Sequence, residues 1–344
     1  MTFEIIGTGR SVPPKRVSND ELTAKVDTTD EWIRSHTGIG SRHIAEDGVA
    51  CSDLAAAAAK NALAMTAGYS GDDPAQTEKA AAEAASSIDM ILLATATADY
   101  FGTPSSACIV QNKIGAKNAA AMDITAGCTG FVYGMEIGAA LLSVSARRNR
   151  VLVIGSEVLS RVVNWEDRGT CVLFGDGAGA LVIEKTGKDS GSGLLHSLLY
   201  ADGSGADSLM MKRGGTRNPY KIGEVVAEPV CIWMNGQEVY NFAVGAITNT
   251  ISELMKISNT AIDDIAYIVP HQANARIIQA ARRRLHIPPE KIYVNIEEYA
   301  NTSAASIPIA LDEMNRGGQL KKGDLILTVG FGGGLTYGGN MIVW

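Results

Sequence analysis

Cys128 stands between two glycines in DITAGCTGFVYGM, where an apolar strand pattern gives way to a helical one. A free cysteine is most often a small buried hydrophobe. At a helix start the dipole and the unpaired N–H groups favour a thiolate instead. Position alone leaves both readings open, although Gly127 and Gly130 leave room for backbone or substrate to approach. His271, in IVPHQANARI, closes a second apolar run, unlike His36, His43, His196 and His286. It is either hydrogen-bonded packing or a neutral donor. Asn301, in EYANTSAAS, precedes a helical pattern, where asparagine also serves as a cap. Gly333, in VGFGGGLTYGGN, offers a backbone N–H to an oxyanion or simply sits in a tight turn. That run has neither Gly-Lys-Ser/Thr nor G-x-G-x-x-G, so it is no phosphate or dinucleotide loop.

The elements that must position these residues repeat. IDMILLATATADY from Ile88 corresponds to DDIAYIVPHQANA from Asp263, and each is followed by a helical segment. AAMDITAGCTGFVYGMEIGAALL then corresponds to IYVNIEEYANTSAASIPIALDEM, so Asn301 falls near the place Cys128 holds in the first half. RVLVIGSEV matches DLILTVGFGG, and each half closes on a Gly-rich strand. Short β-rich runs alternating with helices predict an α/β chain of two pseudo-duplicated halves, residues 1–185 and 186–344. In a pseudo-twofold arrangement the equivalent strand ends converge, Cys128 from one side and Asn301 from the other. Residues 186 to 233 have no counterpart in the first half and are expected to connect the halves and shape an entrance. Residues 67 to 87 read as a solvated loop with some helix.

The 344 residues suit two fused cores of about 150 residues each. With 46% hydrophobic and 19% charged residues the chain buries a sizeable interior, and a net charge of −7 argues against a nucleic-acid binder. The N-terminus lacks a signal-peptide layout, and the apolar windows read as broken short of the ~20 residues of a membrane span. A cytoplasmic enzyme away from the membrane is expected. Five scattered cysteines without a C-x-x-C pair predict neither a disulfide framework nor a structural zinc site.

Taken together, the motifs IIGTG, VDTTDEWIRSHTGI, AGCTGF, DRGTCVLFGDGAGA, VPHQANARII, NTSAASIPIALDE and GFGGGLTYGG resemble, in that order, the β-ketoacyl-acyl-carrier-protein synthase III family of thiolase-fold condensing enzymes. The resemblance covers nearly the whole chain. It implies a thiolase-like fold of five layers, α/β/α/β/α, usually a homodimer. It also implies acyl-CoA and malonyl-acyl carrier protein as substrates, with no cofactor and no metal. By matching position, Cys128 is the acylated nucleophile, and His271 and Asn301 activate the malonyl group. The N–H groups of Cys128 and Gly333 form the oxyanion hole, beside Phe331. Trp32 matches the residue that stacks on adenine, and Thr28, Arg168, Ala273 and Asn274 match the lining of the coenzyme A tunnel.

Several positions depart from the family pattern. His36 stands where many members carry arginine at the nucleotide end. Arg276, Arg283 and Arg284 match a basic docking patch for the acidic carrier protein, while Asn241 replaces a basic residue at its edge. Thr103 replaces a bulky phenylalanine that closes the acyl pocket across the dimer interface. Starters longer than acetyl are therefore expected, unless Tyr100 and Phe101 refill the space. The alternatives are a related ketosynthase of secondary metabolism and a type III polyketide-like enzyme using malonyl-CoA. A hydroxymethylglutaryl-CoA synthase would need a catalytic glutamate. The sequence offers no strand-end carboxylate for that role, Glu297 and Glu298 being the nearest in sequence. A non-catalytic acyl-CoA binder would be expected to have lost one of Cys128, His271 and Asn301.

Overall fold

The computed structural model describes residues 3–187, 191–223, 225 and 230–344. Strands β1 (Phe3–Ser11), β2 (Met90–Ala94), β3 (Ala120–Ile124), β4 (Arg150–Glu157) and β5 (Gly177–Lys185) form one sheet in the order β1-β5-β4-β2-β3. Strands β6 (Gly193–Ala201), β7 (Tyr267–Pro270), β8 (Leu325–Gly332) and β9 (Thr336–Val343) form another in the order β6-β9-β8-β7. The pairings repeat as well. β2 and β4 are parallel, as are β7 and β8. The remaining pairs toward β1 and toward β6 are antiparallel.

Eight helices matter for the layers and the site. They are α1 (Asp30–Thr37), α2 (Cys51–Thr66), α3 (Pro74–Ala85), α4 (Ser106–Lys113), α5 (Gly130–Val144), α6 (Gly236–Ser258), α7 (Ala275–Arg284) and α8 (Ser306–Arg316). Strand side chains alternate between faces, so β2 sends Met90, Leu92 and Ala94 inward. They join Phe131 and Met135 of α5, Ile307 and Leu311 of α8, and Ile326 and Ile342 of the second sheet. Ile91 and Leu93 point the other way, into a core with the alanine-rich α2. The second sheet is covered on its outer face by α6 and α7 through Ile247, Ile251, Ile277 and Ala281. The expected α/β/α/β/α order is the order that folds, with α5 and α8 as its shared middle layer.

Four details correct or refine the sequence reading. The segment IYVNI is not a full strand. It contributes one parallel bridge, Ile268 to Ile292, and one backbone bond from Tyr293 N–H to the Ile268 carbonyl at 3.0 Å. Pro288 and Pro289 stand just before it and supply no N–H for a longer ladder. Residues 193–201 are not a connection but β6, the counterpart of β1. The two share a sheet position without sharing a residue pattern. The 67–87 tract carries the three-turn helix α3, capped by Asp73 with Pro74 at its first position. Finally, Gly127–Val144 is long and apolar enough to cross a membrane by length and composition. Here that stretch is the middle layer, with Phe131, Val132, Met135, Ala139 and Leu142 buried.

Candidate active site

Residues Gly127–Thr129 make one 3-10 turn that runs directly into α5, and Cys128 is its middle residue. Gly127 is left-handed (φ +52°), which a side chain would resist. Gly130 serves packing rather than access, since a Cβ there would lie 2.8 Å from the Ala94 Cβ. The closest approach comes from the other half: a Cβ on Gly332 would stand 2.8 Å from the Cys128 nitrogen and 3.1 Å from its sulfur. The glycine run at the end of β8 thus brings the second sheet up to the cysteine.

Cys128 lies on the wall of two cavities. The first, about 230 Å³, is lined by Cys128, His271, Asn301 and Phe331, and further out by Trp32, His36, Arg168, Ala273 and Asn274. The second, about 320 Å³, is largely apolar and is lined by Cys128, Ala126, Leu159, Leu209, Met210, Ile232 and Gly333, among others. Trp32 in the first cavity is stacked by the His36 ring at 4.4 Å and 19°, and by the Arg168 guanidinium at 4.7 Å. The His36 Nδ1 is engaged locally with the Trp32 carbonyl at 2.8 Å, and Asn274 Nδ2–H donates to the His36 carbonyl at 3.1 Å.

Two polar groups of the second half, His271 and Asn301, share the first cavity with the thiol. His271, at the end of β7, is buried and packs edge-on against Phe331 with ring centroids 5.1 Å apart. Its Nδ1 is 2.7 Å from the Ser306 hydroxyl, which already accepts from Gln272 N–H at 3.3 Å. In the tautomer that carries its proton on Nε2, Nδ1 accepts from that hydroxyl. Burial holds the ring far below its ordinary value, at about 3, so it is neutral. Asn301 is fixed by its backbone to the segment after the DRGT motif: its N–H donates to Leu173, and its carbonyl accepts from Gly175 N–H. Its Oδ1 accepts from Ser303 N–H at 2.8 Å, which leaves Nδ2 as the group available to donate. The DRGTCVLFGDGAGA motif thus serves both as cavity wall, through Arg168 and Phe174, and as scaffold. Asp167 caps the turn at Gly169, and buried Asp176 accepts from Ala45 N–H, Ser160 N–H and the Ser160 hydroxyl.

The helix start does not make the resting cysteine a thiolate. Burial is the largest influence and pushes the Cys128 thiol up to about 12, a hydrogen bond with Ser303 acting the other way. The negative charge of Glu157 adds to the rise. Glu157 is the residue sequence reading missed. It is a strand-end carboxylate at the close of β4, fully buried, and accepts from Thr97 Oγ1 at 2.6 Å and from Ala96 N–H at 3.1 Å. Its signal was a lone acidic residue closing the apolar run RVLVIGSEV. Glu297 and Glu298 are instead surface partners of Arg34 and Arg16.

Some expected residues lie apart from the cavities. Thr28 is half-buried but lines neither of them. Thr103 is exposed on the loop after β2, and Tyr100 and Phe101 on the same loop border a wider cleft of about 730 Å³. That cleft shares Ala96, Thr97, Val162 and Met211 with the apolar cavity. Arg276, Arg283 and Arg284 are exposed on α7, outside Ala273 and Asn274. Among the described residues, no group of three His, Cys, Asp or Glu could hold a metal ion.

The chain matches known proteins along its whole length. Residues 122–203 match the family described as 3-oxoacyl-[acyl-carrier-protein] synthase III, and residues 255–344 match that family's C-terminal part. A β-ketoacyl-[acyl-carrier-protein] synthase III from Caldanaerobacter subterraneus is 47% identical over 99% of this chain and 97% of its own. The crystal structure of 3-oxoacyl-[acyl-carrier-protein] synthase III from Aquifex aeolicus superposes with a TM-score of 0.86 at 40% identity, covering all of both chains. The priming β-ketosynthase of the R1128 polyketide pathway superposes equally well, with a TM-score of 0.86 at 31% identity over 99% of this chain and 96% of its own. With a cysteine at the meeting of two cavities and a neutral histidine beside it, this chain belongs to the β-ketoacyl-[acyl-carrier-protein] synthase III family of condensing acyltransferases.

Proposed function

We propose that Cys128 accepts an acyl starter from acyl-CoA, and that the acyl-enzyme condenses with malonyl-acyl carrier protein to begin a fatty-acid chain. The observation that carries this reading is the position of Cys128 on the shared wall of two unlike cavities. One delivers a thioester past His271 and Asn301, and the other receives an apolar tail. The sulfur attacks the thioester carbonyl, the N–H groups of Cys128 and Gly333 receive the oxyanion, and the bond to the coenzyme A sulfur breaks. Malonyl thioester then enters by the first cavity. His271 Nε2–H and Asn301 Nδ2–H donate to its thioester oxygen as carbon dioxide leaves. The resulting carbanion attacks the acyl-Cys128 carbonyl and frees the cysteine. The neutral state of His271 suits donation to an enolate oxygen.

Trp32 and Arg168 are the stacking pair for the adenine, which enters by parting the contact they make with each other. His36 takes the family's arginine position as a ring stacked on Trp32 rather than as a second cation. Thr28, Ala273 and Asn274 border the path, and Arg276, Arg283 and Arg284 form the face for an acidic carrier protein. No metal or resident cofactor takes part. We place the division between the halves after residue 185, the enzyme in the cytoplasm, and its working form as a homodimer. In the dimer, Thr103 of each chain meets the partner's apolar cavity. The apolar lining of that cavity, with Leu159, Leu209, Met210 and Ile232, supports starters longer than acetyl.

Intact-mass measurement after mixing with a length series of acyl-CoA thioesters tests the reading. An adduct on Cys128 supports it and unmodified protein sinks it, whereas turnover confined to acetyl-CoA sinks the expectation of longer starters. The polyketide-priming relative favours a second reading, in which the product enters specialised metabolism. Comparing malonyl-acyl carrier protein with malonyl-CoA as extender separates the two.

A further inference from the structure

We propose that Arg42 is a positioning residue that fixes two walls of the first cavity against each other, the nucleotide platform on α1 and the segment that holds Asn301. This rests on the reading of that cavity as the path of the thioester, and adds a group that touches neither substrate.

Arg42 lies in the short strand Ser41–His43, which pairs with Arg16–Ser18. It is fully buried, a rare state for an arginine. Its Nη1–H donates to Asn19 Oδ1 at 2.8 Å, with a longer contact to the Val17 carbonyl at 3.5 Å. Its Nη2–H donates to the Val172 carbonyl at 2.9 Å. All three acceptors are neutral oxygens, and Nε has no hydrogen-bond partner among the described residues. Val17 and Val172 belong to one apolar cluster with Ile33 of α1, Phe174 and Ala300, so the guanidinium is set where the two walls meet.

Each arm of the fork ends on one wall. Asn19 Nδ2 donates to Asp30 Oδ1 and to the Ile39 carbonyl, both at 2.8 Å. It thereby grips α1 at its first residue and just beyond its last, and α1 carries the stacked rings of Trp32 and His36. The other arm holds Val172. The next carbonyl, of Leu173, accepts from Asn301 N–H at 2.9 Å, and Gly175 N–H donates to the Asn301 carbonyl at 3.0 Å. Val172, Leu173 and Phe174 line the first cavity together with Trp32 and Asn301. A chain of hydrogen bonds thus runs from the nucleotide helix through one guanidinium to the backbone that aims Asn301.

Stability alone does not account for this residue. Taking a guanidinium out of water is costly, and neutral oxygens offset only part of that cost, whereas a packed apolar side chain would carry no such penalty. Burial pulls the guanidinium down to about 10, so it stays charged through neutral pH. What the arginine supplies is a planar fork that holds two acceptors at a fixed separation, which neither an apolar residue nor a lysine reproduces. The second tie between α1 and the chain before Asn301 lies at the surface. There Arg34 bonds Asp30 at 2.9 Å and Glu297 at 2.7 Å, and such exposed pairs hold their partners weakly. The buried fork is the tie that fixes the distance.

The test cuts the arms separately in the full-length protein. It reads acylation by acetyl-CoA as the mass adduct, and condensation as the reaction of preformed acyl-enzyme with malonyl-acyl carrier protein. Asn19→Asp keeps an oxygen for Nη1 but loses the amide donor and sets a like charge against Asp30, so it cuts the arm to α1. Its KM for acetyl-CoA should rise about fivefold, with acylation at saturation and condensation both kept. Arg42→Met keeps the length and loses every donor, so it cuts both arms. It should raise KM in the same way and also slow condensation about tenfold, as Asn301 is displaced, while the adduct still forms at the unaltered rate at saturation. Arg42→Met that leaves either parameter unaltered, or that slows acylation at saturation and condensation alike, overturns the proposal. Should that variant not fold, Asn19→Asp decides the matter, and an unaltered KM overturns the coupling. An unaltered enzyme that forms no adduct would instead overturn the reading of the cavity itself.

Discussion

The two halves bring the same piece of structure to the site and load it differently. In the first, β3 leads through the turn Gly127–Thr129 into α5. In the second, the chain beyond the bridge at Ile292 leads through the turn Ser303–Ala305 into α8. The middle residue of one turn is Cys128, and that of the other is Ala304, an inert methyl buried against the first half. The polar groups of the second half stand around that alanine, with Asn301 and Ser303 before it and Ser306 after it. A nucleophile needs one position at a helix start. Its assistants must be aimed from outside that helix, so the duplicate turn is free to carry them.

The largest effect is expected from the first half. Cys128→Ala should leave no acyl adduct and lower turnover by more than about 10⁴-fold. Circular dichroism and thermal unfolding should be nearly unchanged, because one buried sulfur is removed from a turn held by Gly127 and α5. Adduct formation at another cysteine, with turnover retained, would break the assignment of the nucleophile to this half.

Next come the assistants. His271→Ala and Asn301→Ala should each still form the acyl adduct but lose about 10²–10³-fold in the condensation step, the usual cost of removing one donor to a developing oxyanion. The pH dependence sharpens this. The His271 value lies near 3, below its ordinary 6.5, so the native ring stays neutral throughout the range in which an exposed histidine charges. Decarboxylation of malonyl thioester by the Cys128→Ala protein should therefore show no acid limb at pH 6.5. Stability carries the opposite mark. Below pH 6.5 the unfolded chain binds a proton that the native histidine refuses, so this contribution destabilises the fold progressively as pH falls toward 3. A decarboxylation limb at pH 6.5 would show that His271 takes up its proton there and is not held neutral by burial.

Much of this division was legible in the sequence, and the reasons are physical. Cys128, His271 and Asn301 each end an apolar segment, and the internal repeat supplied the statement that such ends meet. Glu157 closes an apolar segment too, yet strand-end acids usually face water, and only the fold shows Thr95, Ala96 and Thr97 enclosing this one. Strand β6 was illegible because a sheet position is set by its neighbours rather than by its own residue pattern. The state of the thiol stayed open in the sequence for a related reason. A helix start is visible as a pattern, whereas burial beneath the Gly332 approach depends on a contact across more than half the chain. Thr103 reads as a pocket residue from the family pattern, but within one chain it faces solvent.

A smaller effect should come from the contact that joins the halves. Gly332→Ala puts a methyl 2.8 Å from the Cys128 backbone, where no atom can remain. Either β8 retreats or the cysteine turn shifts. Overpacking of this kind costs about 1–3 kcal/mol, and the acylation rate should fall with the stability as the oxyanion geometry widens. Loss of stability with unaltered acylation would mean that the turn moves as a unit with Gly333, and that the second half follows the first rather than fixing it.

The smallest expected effect lies furthest from the sulfur and compares the two ends of the first cavity. Trp32→Ala removes a ring that stacks with His36 and Arg168 at the outer end. Stacking of a base on an aromatic ring contributes about 1–3 kcal/mol, so KM for acyl-CoA should rise about tenfold or more while the acylation rate at saturation is kept. KM for malonyl-acyl carrier protein should change less, because the carrier brings its thioester without an adenine. Arg283→Glu on α7 should do the reverse. It should raise KM for the carrier protein a few-fold at low salt and lose that effect as salt screens the exposed charge, with acyl-CoA untouched. If both substitutions weaken both substrates alike, the outer cavity works as one surface, and the separation between nucleotide end and carrier face disappears.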